Sequence, residues 1–513
     1  MAVARSHAVA LFGLAGTLID VEVDISSNLP NFVLVGLPDA SLAESVSRIR
    51  AACANTGVGL PARRITVNLS PASVPKQGSG FDLAIAAAIL AAQDLIARPF
   101  LDGVVFLGEL ALDGTVRPVP GALATALAAS RLGFECIVVA SENAAEAALV
   151  SGIRAVSINK LSQLVKGSAA ALESAQPGKP HFEFSQTSAA TGAKLPQEPD
   201  LADVVGQPDA IQALEVAAAG GHHMLLVGPP GAGKTLLAER LPSILPTLTP
   251  EQAIETLAIR SLREQGNSGG LSFTAPFEAP HHGVSQSALI GGGSGIPRPG
   301  LASLAHNGVL FLDEAPEFSA SVLDSLRQPL ESGELVISRS LGTATYPARF
   351  QLVLAANPCA CGQSEASGKN CQCTHLQKQR YLGRLSGPLL DRIDIRFRVA
   401  RVKVTANAVG AQTSAEVRGR VAEARSRAAQ RLAQTPWSLN SRVPGVYLRK
   451  HLKPNTDATR HLDSALAAGR LSMRGYDRCL RLAWTIADLA EKQSPGADEI
   501  ALASMLRSND AGI

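Results

Sequence analysis

The chain has 513 residues, of which 46% are hydrophobic and 18% are charged, and its formal net charge is +3. This composition excludes a wholly disordered or fibrous chain and leaves room for two to four ordinary domains. The net charge does not by itself indicate a nucleic acid partner. The residues from Arg401 onward, however, hold 18 Lys and Arg against 10 Asp and Glu. That local excess of positive charge is equally compatible with a polyanion partner and with a helical lid packed near phosphates.

The N-terminus predicts neither secretion nor membrane insertion. A short apolar stretch follows Arg5, but it runs into the alternating segment LIDVEVDI at residues 18–25 and has no convincing cleavage region. No run in the sequence approaches the roughly 18 apolar residues of a transmembrane helix. Seven cysteines, four of them clustered, argue against a disulfide scaffold, so we expect a cytoplasmic protein.

Residues 1–167 predict an α/β or α+β domain, because short strands alternate with alanine-rich helices. The predicted strands are residues 21–25, 65–70, 103–110 and 135–140, and the predicted helices are residues 81–93 and 121–132. Residues 168–199 are rich in Ser, Ala, Pro, Gly and Gln and have no sustained apolar period. We therefore expect a flexible linker there.

A phosphate-binding loop follows, with the sequence GPPGAGKT, which fits G-x-x-x-x-G-K-[ST]. A predicted strand, HMLLVG, precedes it and a predicted helix, LLAERL, follows, so the motif has the context that it requires. Backbone N–H groups of such a loop hold phosphate oxygens at a helix N-terminus. The lysine is expected to contact the β- and γ-phosphates and the threonine to ligate Mg²⁺. The predicted nucleotide ligands are Gly228, Pro229, Pro230, Gly231, Ala232, Gly233, Lys234 and Thr235.

Three further segments complete a predicted site for ATP hydrolysis. The apolar run at residues 309–312 predicts a central parallel strand that delivers Asp313 to the Mg²⁺ shell and Glu314 to the attacking water. A later strand ends at Asn357, where a polar side chain could orient that water. Arg392 lies between carboxylates in GPLLDRID, which is compatible with a local salt bridge or with an arginine finger supplied to a neighbouring subunit.

Residues 335–350 predict a β-hairpin around Gly342, with Arg339 near its tip. That arginine could meet a phosphate or be simply solvated. The glycine-rich residues 291–295, with His281 and His282 upstream, predict a second, mobile insertion, and adjacent histidines are a weak metal pattern because their side chains diverge.

Two C-x-C pairs with nine residues between them suggest a tetrahedral Zn²⁺ site, because four thiolates on a short glycine-containing loop suit that ion. Its predicted ligands are Cys359, Cys361, Cys371 and Cys373. His375 is close enough to replace one thiolate, and four reduced, unligated cysteines are the alternative. The residues from 401 onward have helical spacing for most of their length, and they predict a C-terminal helical lid.

The nucleotide motifs, the segment of residues 279–318, NPCACG with CQC downstream, and LSMRGYDRCLRLAWTIADL at residues 471–489 resemble the AAA+ ATPases of the Mg-chelatase-like YifB/ComM family. The resemblance covers nearly the whole chain. It implies a hexameric ring ATPase and, in the ComM case, a helicase that promotes branch migration of DNA joints during natural transformation.

The resemblance also implies roles for individual residues. DVVGQ at residues 203–207, with Val205, resembles the segment that lies against adenine. Asn357 corresponds to the first sensor, Arg392 to the finger that acts in trans, and Arg474 to the second sensor. Arg474 is followed by two further arginines at helical spacing, so an ordinary basic helix face is the alternative there.

Residues 1–167 resemble the Lon-protease-like domain, which is S5 domain 2-like, through PKQGSGFDLAIA and GELALDGTVRPVPGALATALAASRLG. Lon uses a Ser–Lys dyad, in which the lysine deprotonates the serine. In this chain the serine position falls on Gly80 and the lysine position on Leu123. The resemblance therefore implies a domain without protease activity, used for ring assembly or DNA contact.

These inferences predict an α/β AAA+ P-loop ATPase core at residues 200–400 and a helical lid at residues 401–513, after the Lon-protease-like domain and the linker. The expected function is a homo-hexameric, ATP- and Mg²⁺-dependent motor acting on single-stranded or branched DNA, with recombination proteins as further partners and with no membrane partner. The alternative is a Mg-chelatase-type subunit that uses ATP to remodel a partner protein for metal insertion.

Overall fold

The computed structural model describes residues 3–36, 39–166, 199–263, 270–293, 297–339, 342–364, 371–401 and 412–508. The predicted linker lies outside these residues except for its last position. Part of the glycine-rich insertion and the two residues at the tip of the predicted hairpin also lie outside them. Among the described residues, no helix has the length and apolar character needed to span a membrane.

The N-terminal domain is built on a mixed seven-stranded sheet. Its strands are β1 (Ala4–Phe12), β2 (Ala15–Ser26), β3 (Asn31–Val35), β4 (Arg64–Ser70), β5 (Val104–Leu107), β6 (Glu109–Leu110), β7 (Val116–Arg117), β8 (Cys136–Ala140) and β9 (Arg154–Ile158). The order in the sheet is β3-β4-β2-β1-β5-β8-β9, while β6 and β7 form a separate ribbon. Its helices are α1 (Ala40–Ala43), α2 (Ser45–Asn55), α3 (Asp82–Ala92), α4 (Ala122–Arg131), α5 (Ser141–Ala147) and α6 (Ser162–Lys166).

The middle of this domain is the helix α3, which packs on β1 and β2. Ten of its residues are buried, in keeping with a sequence that is apolar on every side. The buried carboxylate of Asp82 accepts from Arg48 Nε at 2.6 Å, so that the charge has a partner. All the strands and both helices predicted for residues 1–167 are present.

The second domain contains a five-stranded parallel sheet in the order β11-β14-β17-β10-β18. Its strands, with those of two small ribbons, are β10 (Met224–Val227), β11 (Phe277–Glu278), β12 (Gly291–Gly292), β13 (Arg298–Pro299), β14 (Val309–Leu312), β15 (Glu334–Arg339), β16 (Gly342–Pro347), β17 (Gln351–Ala356) and β18 (Ile395–Arg398). All residues of β10, β14 and β17 are buried, as expected for inner strands of a parallel sheet covered on both faces. The predicted central strand at residues 309–312 is thereby confirmed.

Helices surround this sheet and form the C-terminal region. They are α7 (Pro208–Gly220), α8 (Lys234–Ile244), α9 (Pro250–Ser261), α10 (Gln286–Ile290), α11 (Leu301–Leu304), α12 (Ala320–Ser325), α13 (Arg327–Ser332), α14 (His375–Leu382), α15 (Gly387–Leu390), α16 (Ser414–Arg431), α17 (Gly445–His451), α18 (Thr456–Ala467), α19 (Met473–Leu489) and α20 (Ala497–Ser508). The last five helices make the predicted C-terminal helical region. One apolar cluster joins α16 and α19 to α7 and α8, so this region shares its core with the sheet domain.

The two domains also share a core. Leu257 and Ala258 of α9 belong to the apolar cluster of the N-terminal domain. The N–H of Gly121 donates to the carbonyl of Ser261 at 3.0 Å. The turn between β1 and β2 contacts the predicted hairpin, which β15 and β16 form, through a backbone bridge between Gly13 and Thr345. A Cβ atom at position 13 would lie 2.3 Å from the Thr345 carbonyl oxygen, so this approach requires glycine.

A polar network ties the sheet to the C-terminal helices. His222 contacts Asp394 Oδ2 at 3.1 Å and the Thr485 hydroxyl at 2.8 Å, and Asn440 donates to the same hydroxyl at 3.1 Å. Asn440 also donates to Asp488 at 2.8 Å. Because the members are buried and hydrogen-bonded, the network specifies how the helical region sits on the sheet.

The neighbouring His223 predicts a dependence of stability on pH. Burial, with Arg478 and Arg442 nearby, lowers its pKa to about 4, and its Nδ1 accepts from the Leu352 N–H at 3.0 Å. The unfolded chain takes up a proton below the ordinary histidine pKa of about 6.5, whereas the native chain takes one up only near pH 4, so the free energy of unfolding should fall by about 3 kcal/mol as the pH drops from 7 to 4.

Thermal melts at pH 7 and pH 4.5 test this expectation. The substitution His223→Asn keeps an acceptor for the Leu352 N–H and removes the titration, so it should reduce the loss of melting temperature between the two pH values. An equal loss in the wild type and the variant would contradict the assignment.

Candidate functional site

The predicted phosphate loop connects β10 to α8. The residues between them include Gly231 and Gly233, whose φ angles of +74° and +89° lie in the left-handed region that favours glycine. Gly228 is needed for another reason, because a Cβ atom there would lie 2.3 Å from the Val399 carbonyl oxygen. The loop ends at the N-terminus of α8, where backbone N–H groups and the helix dipole favour an anion.

Lys234 is the first residue of α8 and its side chain turns back over the loop. Its Nζ donates to the carbonyls of Gly228 at 2.6 Å and Pro229 at 3.1 Å, and to Asn357 Oδ1 at 3.0 Å. The structure therefore brings two predicted site residues, Lys234 and Asn357, into contact. Burial lowers the pKa of Lys234, while the carboxylates of Asp313 and Glu314 favour its charged form.

Thr235 and Asp313 form a pair of oxygen donors beside the loop. The Thr235 hydroxyl donates to Asp313 Oδ2 at 2.7 Å, and Asp313 Oδ1 accepts from the N–H of Glu314 at 2.9 Å. A hydroxyl and a carboxylate at the end of a phosphate loop are the oxygen ligands that Mg²⁺ takes in nucleotide sites. The two residues thus fit the ion that the sequence predicts for them.

Glu314 adopts a left-handed backbone conformation with φ of +49°, and its side chain is 53% exposed. His282 Nδ1 lies 3.7 Å from Glu314 Oε2. The sequence did not predict this contact. It arises because β11 ends just before the histidine pair and pairs in parallel with β14, which delivers Glu314. His282 is therefore placed to hold the carboxylate expected to act on water.

The segment of residues 203–207 lies along the loop and the helix that follows it. Gln207 Nε2 donates to the Ala232 carbonyl at 2.8 Å, and Asp203 forms an ion pair with Arg240 of α8 at 2.9 Å. Val205 is 42% exposed, so its side chain is open to a ligand. An adenine contact at Val205 stays a prediction.

Arg392 lies at the other end of the sheet. It precedes β18, whose first residue pairs with the first residue of β10, whereas the phosphate loop follows the last residue of β10. The four residues of β10 alone separate the two ends by about 13 Å. Arg392 therefore lies too far from the phosphate loop of the same chain to contact a nucleotide bound there.

The structure does not show Arg392 in a salt bridge with the neighbouring carboxylates of GPLLDRID, which was the alternative considered from the sequence. Its guanidinium pairs with Glu331 of α13 and donates to the Pro388 carbonyl at 2.5 Å, while its buried Nε has no partner in the part of the chain that the structure describes. Burial and the nearby Arg327, Arg478 and Arg474 lower its pKa. The adjacent carboxylates are engaged elsewhere, since Asp391 accepts from Arg474 at 3.3 Å and Asp394 pairs with His222 and Arg478.

Arg474 lies in the first turn of α19, at the start of a C-terminal helix as predicted, and its side chain is 79% exposed. Through Asp391 it lies at the same end of the sheet as Arg392. Next to them is a cavity of about 770 Å³. The arginines that line it are Arg349, Arg392, Arg425, Arg442, Arg478 and Arg481. This concentration of positive charge suits an anion.

The four predicted cysteine ligands come together just beyond β17. Their Sγ atoms all lie within 4.8 Å of one another, and three of the separations are 3.4, 3.7 and 3.7 Å. Hydrogen bonds, first from the backbone of Gln363, lower the pKa of Cys361 to about 6. Within the described residues, His375 is not a member of this group.

The two positions of the N-terminal domain that correspond to the Lon dyad, Gly80 and Leu123, have structural roles. Gly80 lies in a turn at residues 79–81, and Leu123 is fully buried in α4. The Ser79 hydroxyl donates to the Glu109 carboxylate and the Lys76 amine to the Pro71 carbonyl. These contacts do not assemble a serine with a lysine base.

Three family models match the chain. The model described as "Magnesium chelatase, subunit ChlI" covers residues 200–407. The model "Subunit ChlI of Mg-chelatase" covers residues 21–143, and "Magnesium chelatase, subunit ChlI C-terminal" covers residues 411–507. Together the matches span the N-terminal domain, the sheet domain and the C-terminal helices.

Full-length relatives give the same result. An uncharacterised protein of Mycobacterium tuberculosis is 48% identical over 100% of both chains. YifB of Escherichia coli is 41% identical over 95% of this chain and 94% of its own, and the competence protein ComM of Haemophilus influenzae is 41% identical over 96% and 95%. A shorter match, 31% identical over 26% of each chain, is to Lon protease 2 of Bacillus subtilis.

Proposed function

The chain belongs to the YifB/ComM family of magnesium-chelatase-like AAA+ proteins, and from that membership we propose that it is an ATP-hydrolysing ring motor that acts on DNA. The observation that carries the proposal is the position of Arg392 and Arg474 at the end of the sheet opposite the phosphate loop. A site divided in this way is complete only between two subunits.

Within one subunit, each residue near the loop has a role in nucleotide chemistry. Lys234 neutralises phosphate charge, and Thr235 with Asp313 would hold Mg²⁺, which shields the phosphates when bound. Glu314 accepts a proton from water, and Asn357, 3.0 Å from the Lys234 amine, orients that water.

The second half of the site comes from the neighbouring subunit. Arg392 carries a guanidinium whose buried Nε has no partner among the described residues, and its charge is paired with Glu331. A guanidinium with an unused donor forms a strong, charge-assisted hydrogen bond when an anion binds to it. In a closed ring, the end of the sheet that carries Arg392 and Arg474 in one subunit faces the phosphate loop of the next subunit. The family resemblance supports six subunits.

DNA is the proposed substrate because the full-length relative in Haemophilus influenzae is a competence protein. The exposed Arg339, at the end of β15 in the hairpin, and the basic excess from Arg401 onward supply charges for phosphate contacts. Branch migration during natural transformation, in the cytoplasm and with recombination proteins, is the specific activity that we propose. The four-cysteine cluster adds a candidate site for Zn²⁺ to the ATP and Mg²⁺ of the motor.

The alternative is an ATPase subunit that remodels a partner protein for metal insertion, as the family-model descriptions suggest. The two functions differ in what stimulates ATP hydrolysis. A DNA motor responds to DNA alone, whereas a chelatase subunit requires its partner protein.

The variant Glu314→Gln tests the DNA proposal. It should keep ATP binding and reduce turnover by about 10²-fold or more, because the amide cannot accept a proton from water. With ATP, the stalled protein should bind fluorescent forked or single-stranded DNA more tightly than the wild type, as measured by anisotropy. The matched control Glu317→Gln removes a carboxylate that pairs with Arg384 and should behave as the wild type.

The wild-type ATPase rate with and without DNA completes the test. Failure of both DNA binding and DNA stimulation would reject the DNA function. Normal turnover by Glu314→Gln would reject the role of that carboxylate.

A further inference from the structure

We propose that the four-cysteine cluster binds Zn²⁺ and that the bound ion holds the phosphate loop and Asn357 in the geometry that binds nucleotide. The ion is then a structural part of the nucleotide site. This inference rests on the proposed ATPase function and is independent of DNA.

The sulfur positions fit a single tetrahedral ion. With Zn–S bonds of about 2.3 Å, the edges of the tetrahedron are about 3.8 Å. The three separations among Cys359, Cys361 and Cys371, which are 3.4, 3.7 and 3.7 Å, lie near that length, and the Sγ atom of Cys373 lies within 4.8 Å of the other three. They are far from the S–S bond of about 2.05 Å, so the thiols are not paired as disulfides.

The chemistry of the donors selects the ion. Four thiolates favour a soft or borderline metal such as Zn²⁺ over Mg²⁺ or Ca²⁺, which take oxygen ligands. The cluster is also separate from the Mg²⁺ donors, which are a hydroxyl and a carboxylate. It is therefore a second metal site with its own ligands.

The first cysteine pair touches the nucleotide site directly. Cys359 follows Asn357 by two residues, and Asn357 accepts from Lys234. The turn that continues from Cys359 brings Gly362 onto the phosphate loop, where a Cβ atom at position 362 would lie 2.6 Å from Pro230 Cγ. The turn that carries the two thiols therefore lies against the loop.

The second cysteine pair anchors α14. Cys373 precedes Thr374, the N-cap of α14, whose hydroxyl accepts from the Gln377 N–H. Further along α14, the hydroxyl of the buried Tyr381 lies close to the backbone of Asn357, which favours its ionised form. An ion that joins the two pairs thus fixes Asn357 from both sides, through the chain before Cys359 and through α14.

Loss of the ion should release these contacts. We expect protein purified without chelators to contain one Zn²⁺ per chain by elemental analysis. Removing the ion with a thiol-specific reagent and a chromophoric chelator should weaken binding of a fluorescent ATP analogue at least 10-fold, and adding Zn²⁺ after reduction should restore it. Because such coupling is reciprocal, the ATP analogue should also slow the release of Zn²⁺ to the chelator.

Two variants separate metal binding from its effect on the loop. Cys373→Ser should lose both the ion and tight nucleotide binding, while Cys53→Ala, in the core of the N-terminal domain, should lose neither. Gly362→Ala should keep the ion and still bind nucleotide more weakly, because its methyl group meets Pro230. Circular dichroism establishes that each variant is folded.

Several outcomes would overturn the inference. They are wild-type protein with no stoichiometric metal, with iron in place of zinc, or with zinc whose removal leaves nucleotide affinity and zinc-release rates unchanged. Wild-type protein that holds zinc and binds no nucleotide would instead reject the proposed ATPase. Zinc-dependent nucleotide binding without any DNA effect would reject only the DNA substrate.

Discussion

Replacing Arg392 by alanine should reduce ATP turnover by about 10³-fold or more and leave ATP binding within a few-fold of the wild type. An arginine finger contributes 10³ to 10⁵ in turnover, because it meets charge that develops in the transition state. Arg392 lies beyond the opposite end of β10 from the phosphate loop, so the deletion leaves the loop of the same subunit intact. Steady-state ATPase assays with a separate nucleotide-binding measurement test both parts.

The control for this variant is Arg327→Ala. Arg327 belongs to the same charged surface, where it pairs with Asp324 at 3.6 Å, and its removal should have little effect on turnover. Rings mixed from Arg392→Ala and Lys234→Ala subunits should regain part of the activity, since some interfaces then join an intact loop to an intact arginine. Normal turnover by Arg392→Ala alone would remove the assignment in trans.

The substitution Lys234→Ala should abolish ATP binding within the measurable range, a loss of at least about 10²-fold in affinity. Lys234 is 8% exposed and its Nζ donates to the carbonyls of Gly228 and Pro229 at 2.6 and 3.1 Å, so the substitution removes the positive charge that lies directly over the loop. Isothermal titration with a non-hydrolysable analogue measures the loss. Binding within a few-fold of the wild type would show that phosphates occupy another position.

The variant Lys450→Ala is the matched control, because it removes a lysine from the last turn of α17 and should bind nucleotide normally. Melting temperatures without nucleotide distinguish lost binding from lost structure. Lys234 also bonds to Asn357, so a modest destabilisation of the variant is expected.

Local patterns predicted the elements that carry the site. The phosphate loop, the apolar strand before Asp313 and the hairpin of β15 and β16 are each specified by residues close in sequence, and all three form as expected. The family resemblance was confirmed over nearly the full length. The clustering of the four cysteines was predicted as well, since their spacing alone restricts where they can meet.

Contacts between distant segments could not be predicted in this way. His282 reaches Glu314 only because β11, a strand of two residues, is added beside β14, and two residues are too short for any periodic pattern. The Arg392–Glu331 pair likewise depends on how α13 packs at the end of the sheet. Nothing in the local sequence of the N-terminal domain indicates that α9 completes its core.

The backbone bridge between Gly13 and Thr345 has a mechanical consequence. Side chains can change rotamer to absorb a displacement, but here main-chain atoms of two domains meet directly, and glycine leaves no side chain between them. The joint is therefore stiff. If a nucleotide cycle moves the hairpin of β15 and β16, this movement must either displace the N-terminal domain together with the hairpin or break the backbone contact. The N-terminal domain is then one of the parts that the motor moves.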